Sequence, residues 1–255
     1  MRQRRPPLVD NIAEVWEPGA ATLVVNSGEV QLNMPMDDSA AASASAMEVQ
    51  NDVVFNTLVD VTAMETVAVM GSQQEAEQRL AAWDDSEDAA LFGSGMAAIS
   101  TALLAWSGAD RSVWFVGPLY GGTHHFLKEV MPTMGRSVTE IDHLDQLDPT
   151  LEDLGGQRPG LIYLETPANP TMQIQRIRTA AEWAAQHSTE DHRIVVMVDN
   201  TYLGPILQRP LEEGADLVLY SATKYLGGHS DLIAGGASGG ADIVAKVKEY
   251  RTFLG

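Results

Sequence analysis

Leu217-Val218-Leu219-Tyr220-Ser221-Ala222-Thr223-Lys224-Tyr225-Leu226-Gly227-Gly228-His229 brings one lysine from the end of an apolar run onto a glycine-rich turn. The apolar run predicts a buried strand, and the glycines after it predict a tight turn. Lys224 is one of only four lysines in the chain. It follows two hydroxyl residues, Ser221 and Thr223, which are able to bind a phosphate beside it.

A second apolar run, Ile194-Val195-Val196-Met197-Val198, ends in Asp199. For a lone aspartate after a strand, a helix cap or a turn is the ordinary interpretation. Together with Lys224, however, it supplies the two charged groups that pyridoxal phosphate (PLP) requires. These are a lysine that forms a Schiff base and an acid that pairs with the pyridine nitrogen. We therefore expect Lys224 and Asp199 to share a cofactor site.

Composition and charge limit the possible classes of function. The chain has 255 residues, enough for one large domain, and its apolar share of 45% is ordinary for a globular protein. Its 35 acidic and 16 basic residues give a formal net charge of -19, which disfavours nucleic acid and anionic membranes as partners. The absence of cysteine excludes disulfides, thiolate catalysis and cysteine metal sites.

The start of the chain does not have the pattern of a secretory signal. Met1-Arg2-Gln3-Arg4-Arg5 is basic, but Pro6-Pro7 and a mixed polar stretch follow where a signal peptide needs an apolar run. No window approaches the roughly 20 apolar residues of a membrane span. We expect a soluble, cytoplasmic protein.

Residues 1–60 differ in composition from the rest of the chain. Small residues dominate Ser39-Ala40-Ala41-Ala42-Ser43-Ala44-Ser45-Ala46, and apolar runs are short, as in Thr22-Leu23-Val24-Val25. This composition predicts an N-terminal arm or extension over residues 1–60. Residues 61–255 are then expected to form one large cofactor-binding domain.

From Gln73 onwards, helical and strand patterns alternate. Helices are predicted over 73–83, after Met96 as far as 106, and over 123–131 and 177–187; strands are predicted over 89–92, 112–116, 138–141, 161–165, 194–199 and 217–220. This alternation predicts an α/β fold, with a mostly parallel sheet covered by helices on both faces. Ligands of such sheets bind beyond the carboxyl ends of the strands, where Glu165, Asp199 and Ser221 fall.

Gly93-Ser94-Gly95-Met96 lies between a predicted strand and a predicted helix. Free backbone N–H groups and the helix dipole favour an anion at such a place, although glycines there often serve only a tight turn. Ser221 and Thr223 supply a second group of phosphate donors. Two half-sites for one phosphate indicate a phosphorylated cofactor.

Two further residues at strand ends are candidates for contacts with a planar cofactor. Tyr120, in Gly117-Pro118-Leu119-Tyr120, either caps the core or stacks on the cofactor ring. Asn169, in a loop extended by prolines, either bonds to backbone or meets the ring hydroxyl. The adjacent His124 and His125 diverge and have no matching acid cluster, so no metal site is expected.

Five motifs, in the same order, resemble those of the Cys/Met-metabolism PLP-dependent enzymes. That family includes cystathionine γ-synthase, cystathionine γ- and β-lyases, methionine γ-lyase and O-acyl-homoserine sulfhydrylases. The resemblance covers residues 73–255 and implies a type I aminotransferase-like PLP domain. The motifs are Ser94-Gly95-Met96-Ala97-Ala98, Leu119-Tyr120-Gly121-Gly122-Thr123, Glu165-Thr166-Pro167-Ala168-Asn169-Pro170-Thr171, Val198-Asp199-Asn200-Thr201 and Ser221-Ala222-Thr223-Lys224-Tyr225-Leu226-Gly227-Gly228-His229.

The resemblance implies roles for the reacting end of the site. Lys224 would form the Schiff base with PLP and carry protons during the reaction. Asp199 would pair with the pyridine nitrogen. Tyr120 would stack on the cofactor ring and assist the leaving group, which makes it, with Lys224, the expected catalytic pair.

The resemblance also implies how the phosphate and the ring oxygen would be bound. Gly95 and Met96 would donate their backbone N–H groups to the phosphate. Ser221 and Thr223 would contribute their hydroxyls, and Asn169 would lie near the ring oxygen.

The chain departs from the family's pattern at two places and from the pattern of one subfamily at a third. Members usually carry a Tyr-Ser-Arg segment that binds the phosphate of the neighbouring subunit, whereas this chain has Glu65-Thr66-Val67-Ala68-Val69-Met70. Members also continue into a C-terminal small domain that holds the arginine for the substrate carboxylate; we expect that domain to be absent here. Gly122 stands where methionine γ-lyases typically have cysteine.

These patterns predict PLP-dependent elimination or replacement on a sulfur-containing or O-activated homoserine amino acid. The enzyme would be a carbon–sulfur lyase or a transsulfuration transferase, and the resemblance implies a homodimer or homotetramer. The alternative is a truncated domain or pseudoenzyme that binds PLP or a partner chain without independent catalysis.

Overall fold

The computed structural model describes residues 22–26, 29–33 and 72–254. The chain divides into two units, residues 1–76 and 77–255. In the first unit, β1 (Thr22–Asn26) and β2 (Glu29–Asn33) pair antiparallel. Most of the predicted arm over 1–60 lies outside the described residues, as does its boundary with the large domain. Both stay predictions.

Seven strands form one sheet in the second unit. They are β3 (Asp88–Phe92), β4 (Val113–Val116), β5 (Val138–Ile141), β6 (Leu161–Glu165), β7 (Val195–Asp199), β8 (Leu217–Tyr220) and β9 (Gly235–Gly239). Their order is β3-β9-β8-β7-β6-β4-β5, and β9 runs antiparallel to both of its neighbours. The pairs from β8 to β5 are parallel. The predicted mostly parallel sheet is confirmed.

Helices connect most of the strands. The helices are α1 (Gln73–Asp84), α2 (Gly95–Trp106), α3 (Gly121–His125), α4 (Met131–Thr133), α5 (Leu147–Asp153), α6 (Ile177–His187), α7 (Gly204–Leu207) and α8 (Ala241–Leu254). A π-helical turn, Phe126–Val130, joins α3 to α4. Short 3-10 turns occupy Leu144–Gln146 and Pro210–Glu213. In the described part of the chain, no helix is long and apolar enough to cross a membrane.

Both faces of the sheet are buried because helices cover each of them. Successive side chains of a strand point to opposite faces, so they pack into two different clusters. In β6, Leu161 and Tyr163 pack into one hydrophobic cluster with residues of α2 and α8. Ile162 and Leu164 pack into a second cluster with residues of α5 and α6. All four strand residues are fully buried. A continuous apolar strand is therefore required here, as the sequence pattern indicated.

Strand β9 was not predicted because its sequence, Gly235-Gly236-Ala237-Ser238-Gly239, has few residues that favour strands. Close packing explains the glycines. A Cβ atom on Gly235 would overlap the carbonyl oxygen of Ser94, and one on Gly236 would lie 2.7 Å from Leu80 Cδ2. The helices α5 and α8 were also not predicted.

One edge of the sheet gathers the loops that carry the predicted site. Because β3 and β8 are both antiparallel to β9, they run in the same direction as β4, β6 and β7. The carboxyl ends of these five strands therefore meet at one edge. The segments that leave this edge begin at Gly93, Gly117, Thr166, Asn200 and Ser221.

Candidate cofactor site

A cavity of about 970 Å³ opens at this edge of the sheet. All eight residues that the sequence predicted to bind the cofactor line its wall: Gly95, Met96, Tyr120, Asn169, Asp199, Ser221, Thr223 and Lys224. They come from five separate segments of the chain. The fold thus brings together every residue of the predicted set, while their individual roles stay predictions.

Lys224 lies on the turn that follows β8. Its N–H donates to Ser221 O at 3.0 Å, and the Gly228 N–H donates to Lys224 O at 2.8 Å. Gly228 has φ +75°, a left-handed conformation that glycine adopts without strain. The sequence Gly227-Gly228 therefore closes the turn that presents the lysine to the cavity.

The ammonium of Lys224 forms no ion pair with any residue that the structure describes. The other three lysines are engaged. Lys128 Nζ lies 2.9 Å from Glu140 Oε2, and Lys248 Nζ lies 2.8 Å from Asp88 Oδ1. Lys246 Nζ lies 4.3 Å from the centroid of the Trp106 ring. Lys224 is thus the lysine available for chemistry.

Asp199, the last residue of β7, is buried and oriented by three hydrogen bonds. Thr201 donates its hydroxyl and its N–H to Asp199 Oδ1, at 2.6 and 3.0 Å. The Tyr163 hydroxyl donates to Oδ2 at 3.3 Å. Burial raises the pKa of Asp199, and the Thr201 and Tyr163 donors oppose that rise. A cationic partner in the cavity would stabilise the ionised carboxylate.

The N-terminus of α2 packs directly against Ser221. Ser94 caps the helix, its Oγ accepting from Ala97 N at 3.0 Å. The first N–H groups of a helix have no acceptor within the helix, so those of Gly95 and Met96 are available to an anion. The backbone of Ser221 is fixed by a hydrogen bond, in which its N–H donates to Thr201 Oγ1 at 2.8 Å. Thr201 therefore links the Asp199 carboxylate to the predicted phosphate site.

The Thr223 hydroxyl bonds to the backbone of Ala234, the residue just before β9. It donates to Ala234 O at 3.2 Å and accepts from Ala234 N at 3.1 Å. A hydroxyl has one proton. To donate to a phosphate, as predicted, Thr223 would have to give up its bond to Ala234 O.

Tyr120 and Asn169 both depend on Glu165, the last residue of β6. Glu165 Oε2 accepts from Tyr120 N at 2.7 Å, and Oε1 accepts from Asn169 N at 2.8 Å. The Tyr120 side chain is 48% exposed, so it does not cap the core, one of the two interpretations of the sequence. Burial and then the Asp199 charge raise the pKa of Glu165 to about 7.

Sequence reasoning assigned no role to three residues of this site: Tyr163, Glu165 and Thr201. A signal for Thr201 was present, because an aspartate side chain commonly accepts a hydrogen bond from the backbone N–H two residues further on. Tyr163 contacts Asp199, 36 residues away, and Glu165 contacts Tyr120, 45 residues away, so no local pattern contains these two bonds. The bond of Glu165 to Asn169 spans only four residues.

The donors around the cavity fit PLP. Because residue 95 is glycine, the N-terminus of α2 can lie in close contact with Ser221. A Cβ atom at position 95 would fill the space between them. An unpaired lysine and a buried carboxylate line the same wall. The wall contains no arginine and no histidine among the described residues. In the same part of the chain, no group of three or more His, Asp or Glu residues is placed to hold a metal ion.

Comparison with known proteins identifies the family. The model described as "Cys/Met metabolism PLP-dependent enzyme" matches residues 69–255, more than half of the chain. The chain belongs to this family. Its fold class and its cofactor, pyridoxal 5'-phosphate, agree with the predictions from the sequence motifs, which are confirmed.

Several relatives share the sequence of this family domain. The chain is 40% identical over 178 residues to an L-methionine gamma-lyase of Porphyromonas gingivalis, covering 68% of this chain and 42% of the relative. It is 34% identical over 235 residues to a chloroplastic cystathionine beta-lyase of Mimosa pudica, covering 89% and 48%. The chain therefore spans less than half the length of these relatives.

A solved structure shares the fold. Cystathionine gamma synthase from Xanthomonas oryzae pv. oryzae, in complex with aminoacrylate and cysteine, matches with a TM-score of 0.64 and 29% identity. The match covers 71% of this chain and 46% of that one. These proteins are named as lyases and as a synthase, so the comparison does not distinguish between the reactions of the family. The segment 65–70, which departs from the family's Tyr-Ser-Arg pattern, lies outside the described residues.

Proposed function

We propose that this chain forms the cofactor-binding part of a PLP-dependent carbon–sulfur lyase or transsulfuration transferase. Its reaction would be elimination or replacement on a sulfur-containing or O-activated homoserine amino acid. The observation that carries the proposal is that the unpaired Lys224 and the buried Asp199 line the same cavity. The family membership of the chain supports the same chemistry.

PLP bound in the cavity supplies an aldehyde that reacts with amines and a ring that accepts electrons from the substrate Cα. Lys224 lines the cavity and forms no ion pair with any described residue, so it is free to bond to the cofactor and to carry a proton when released. Asp199 is already oriented by Thr201 and Tyr163. Its carboxylate would hold a proton on the ring nitrogen.

The other end of the cavity suits a phosphate. Gly95 and Met96 present N–H groups at the positive end of α2, and Ser221 places its hydroxyl beside them. Met96 and Tyr120 both lie near Gly122: a Cβ there would be 3.3 Å from Met96 Sδ and 2.6 Å from Tyr120 Cε1. The Tyr120 ring is thus close to the phosphate-binding helix, where it would cover a planar ligand.

Cofactor binding is tested by absorbance of the purified full chain with excess PLP. We expect a band at about 420 nm from the lysine-bound cofactor. Lys224→Ala should abolish that band. Lys128→Ala, which removes an exposed lysine paired with Glu140, is the matched control and should leave it unchanged. A wild-type chain that stays colourless would exclude the proposal.

A second candidate is a PLP-binding domain that does not catalyse on its own. The absence of arginine from the described cavity wall favours it, because an amino-acid substrate then has no guanidinium partner for its carboxylate there. The loaded chain should be assayed with cystathionine, methionine, cysteine and O-acyl-homoserines for released keto acid, thiol and ammonia. Turnover supports the enzyme; a bound cofactor without turnover supports the silent domain.

Assembly and location belong to the same proposal. We propose a homodimer or homotetramer that acts on a small amino acid, as the family resemblance implies, and, separately, a cytoplasmic location. The oligomeric state can be measured by light scattering of the eluting protein, with and without PLP. A monomer under both conditions would contradict it.

A further inference from the structure

Glu165 is an acidic residue of the cavity wall for which the proposed chemistry has no use. It ends β6 directly opposite Asp199, the residue that ends the neighbouring strand β7. Its side chain is only 4% exposed. Two buried carboxylates side by side repel each other, so the ionised pair is costly unless its oxygens receive hydrogen bonds.

Each oxygen of Glu165 receives its bond from a different loop. Oε2 accepts from the N–H of Tyr120, in the loop after β4, and Oε1 accepts from the N–H of Asn169, in the loop after β6. The two distances are 2.7 and 2.8 Å, short enough for charge-assisted bonds. One carboxylate therefore joins the two loops whose side chains are the candidate contacts for the cofactor ring.

A carboxylate accepts both bonds, one on each oxygen. A glutamine at the same position has one acceptor oxygen and one NH2 group, which would face an N–H group and repel it. A hydrophobic residue would leave both N–H groups unsatisfied. Neutral substitutes, which would relieve the repulsion with Asp199, lose the connection between the loops.

We propose that Glu165 is a positioning residue that fixes Tyr120 and Asn169 relative to each other across the cofactor ring. This rests on the proposed function, since it requires PLP in the cavity. Glu165 acts through the two loop residues and has no direct step in the reaction. Its removal should loosen both loops at once and weaken cofactor binding through Tyr120.

The first test needs no cofactor. In the full chain without PLP, amide hydrogen exchange of the segments 117–122 and 166–172 should become faster in Glu165→Gln than in wild type. Glu129→Gln removes the same charge from the exposed π-helical turn and serves as the control, with no change expected in either segment. Unchanged exchange in both segments of Glu165→Gln would overturn the proposal.

The second test is a double-mutant cycle on PLP affinity, measured by titration. We expect Glu165→Gln to weaken PLP binding about ten-fold in the wild-type background. In the Tyr120→Ala background it should weaken binding much less, because the ring that Glu165 positions is gone. Equal losses in both backgrounds would indicate a merely structural role and overturn the proposal.

The conservative variant guards against a folding defect. Glu165→Asp keeps the charge but shortens the side chain, and it should show intermediate exchange and the same non-additivity with Tyr120→Ala. If Glu165→Gln does not fold, this variant decides the outcome.

A wild-type chain that binds no PLP overturns the proposed function, and the role of Glu165 with it. A wild-type chain that binds PLP but gives an additive cycle overturns only the role of Glu165.

Discussion

A Cβ atom on Gly95 would lie 2.6 Å from Cβ and 2.8 Å from Cα of Ser221. Side chain and backbone of Ser221 would both have to move, because such distances are well inside van der Waals contact. The close approach of α2 to the turn after β8 is what places two groups of phosphate donors together. Glycine at position 95 is therefore a requirement of the site, in addition to any requirement of the turn.

Gly95→Ala should destabilise the fold by about 1–3 kcal/mol and weaken PLP binding. Unfolding by urea and titration with PLP measure the two effects. Gly93→Ala is the matched control, because a Cβ atom there meets nothing within 4 Å. Equal behaviour of the two variants would show that the contact with Ser221 does not matter.

Thr201→Val should weaken PLP binding without preventing folding. The substitution removes the hydroxyl that donates to Asp199 Oδ1 and accepts from Ser221 N, and it leaves that N–H without its partner. We expect a loss of about 1–3 kcal/mol in cofactor affinity. Thr201→Ser keeps the hydroxyl and should retain most of the affinity; an equal loss in both variants would assign the effect to the methyl group.

The ring of Tyr120 should move when Gly122 gains a side chain. A Cβ atom there would lie 2.6 Å from Tyr120 Cε1. Since the ring is half-exposed, it can swing outwards, so Gly122→Ala should change the unfolding free energy by less than about 0.5 kcal/mol. The visible circular dichroism of bound PLP should nevertheless change. Gly121→Ala, which meets nothing within 4 Å, should leave that signal as in wild type.

Asp84 should make the fold less stable as the pH rises. Asp84 is 3% exposed, its Oδ1 accepts from the Tyr220 hydroxyl, and its buried Oδ2 has no hydrogen-bond partner among the described residues. Burial raises the pKa of Asp84 from 3.8 to about 6 in the folded chain. Between these values the folded state binds more protons than the unfolded state, so stability falls as pH rises.

The shift corresponds to a cost of roughly 3 kcal/mol, fully present above about pH 6 and absent below about pH 4. Asp84→Asn removes this titration. We therefore expect its unfolding free energy, relative to wild type, to rise between pH 4 and pH 6 and to level off above. Urea unfolding at several pH values measures the difference, and a difference independent of pH would contradict the assignment.

Strand β6 and strand β9 show what limits prediction from sequence. Leu161-Ile162-Tyr163-Leu164-Glu165 is apolar throughout, as a strand covered on both faces must be, and it was predicted correctly. Gly235-Gly236-Ala237-Ser238-Gly239 has no such pattern. Glycine is required at positions 235 and 236 because Ser94 and Leu80, more than a hundred positions away in the chain, leave no room for a Cβ atom. Such contacts exist only in the folded sheet.

The sequence by itself indicated the mostly parallel α/β sheet, the family and eight of the residues that line the cavity. Apolar runs, strand ends and motif order are local properties, and the direction of parallel strands brings their carboxyl ends to one edge. Only the tertiary structure decided how those residues are held. Glu165 joins Asn169, four residues along the chain, to Tyr120, 45 residues away. Thr201 joins Asp199, two residues away, to Ser221, 20 residues away. A buried polar group forms hydrogen bonds with the groups that packing brings near it. Which groups come near depends on how separate segments pack together, and no single segment determines that packing.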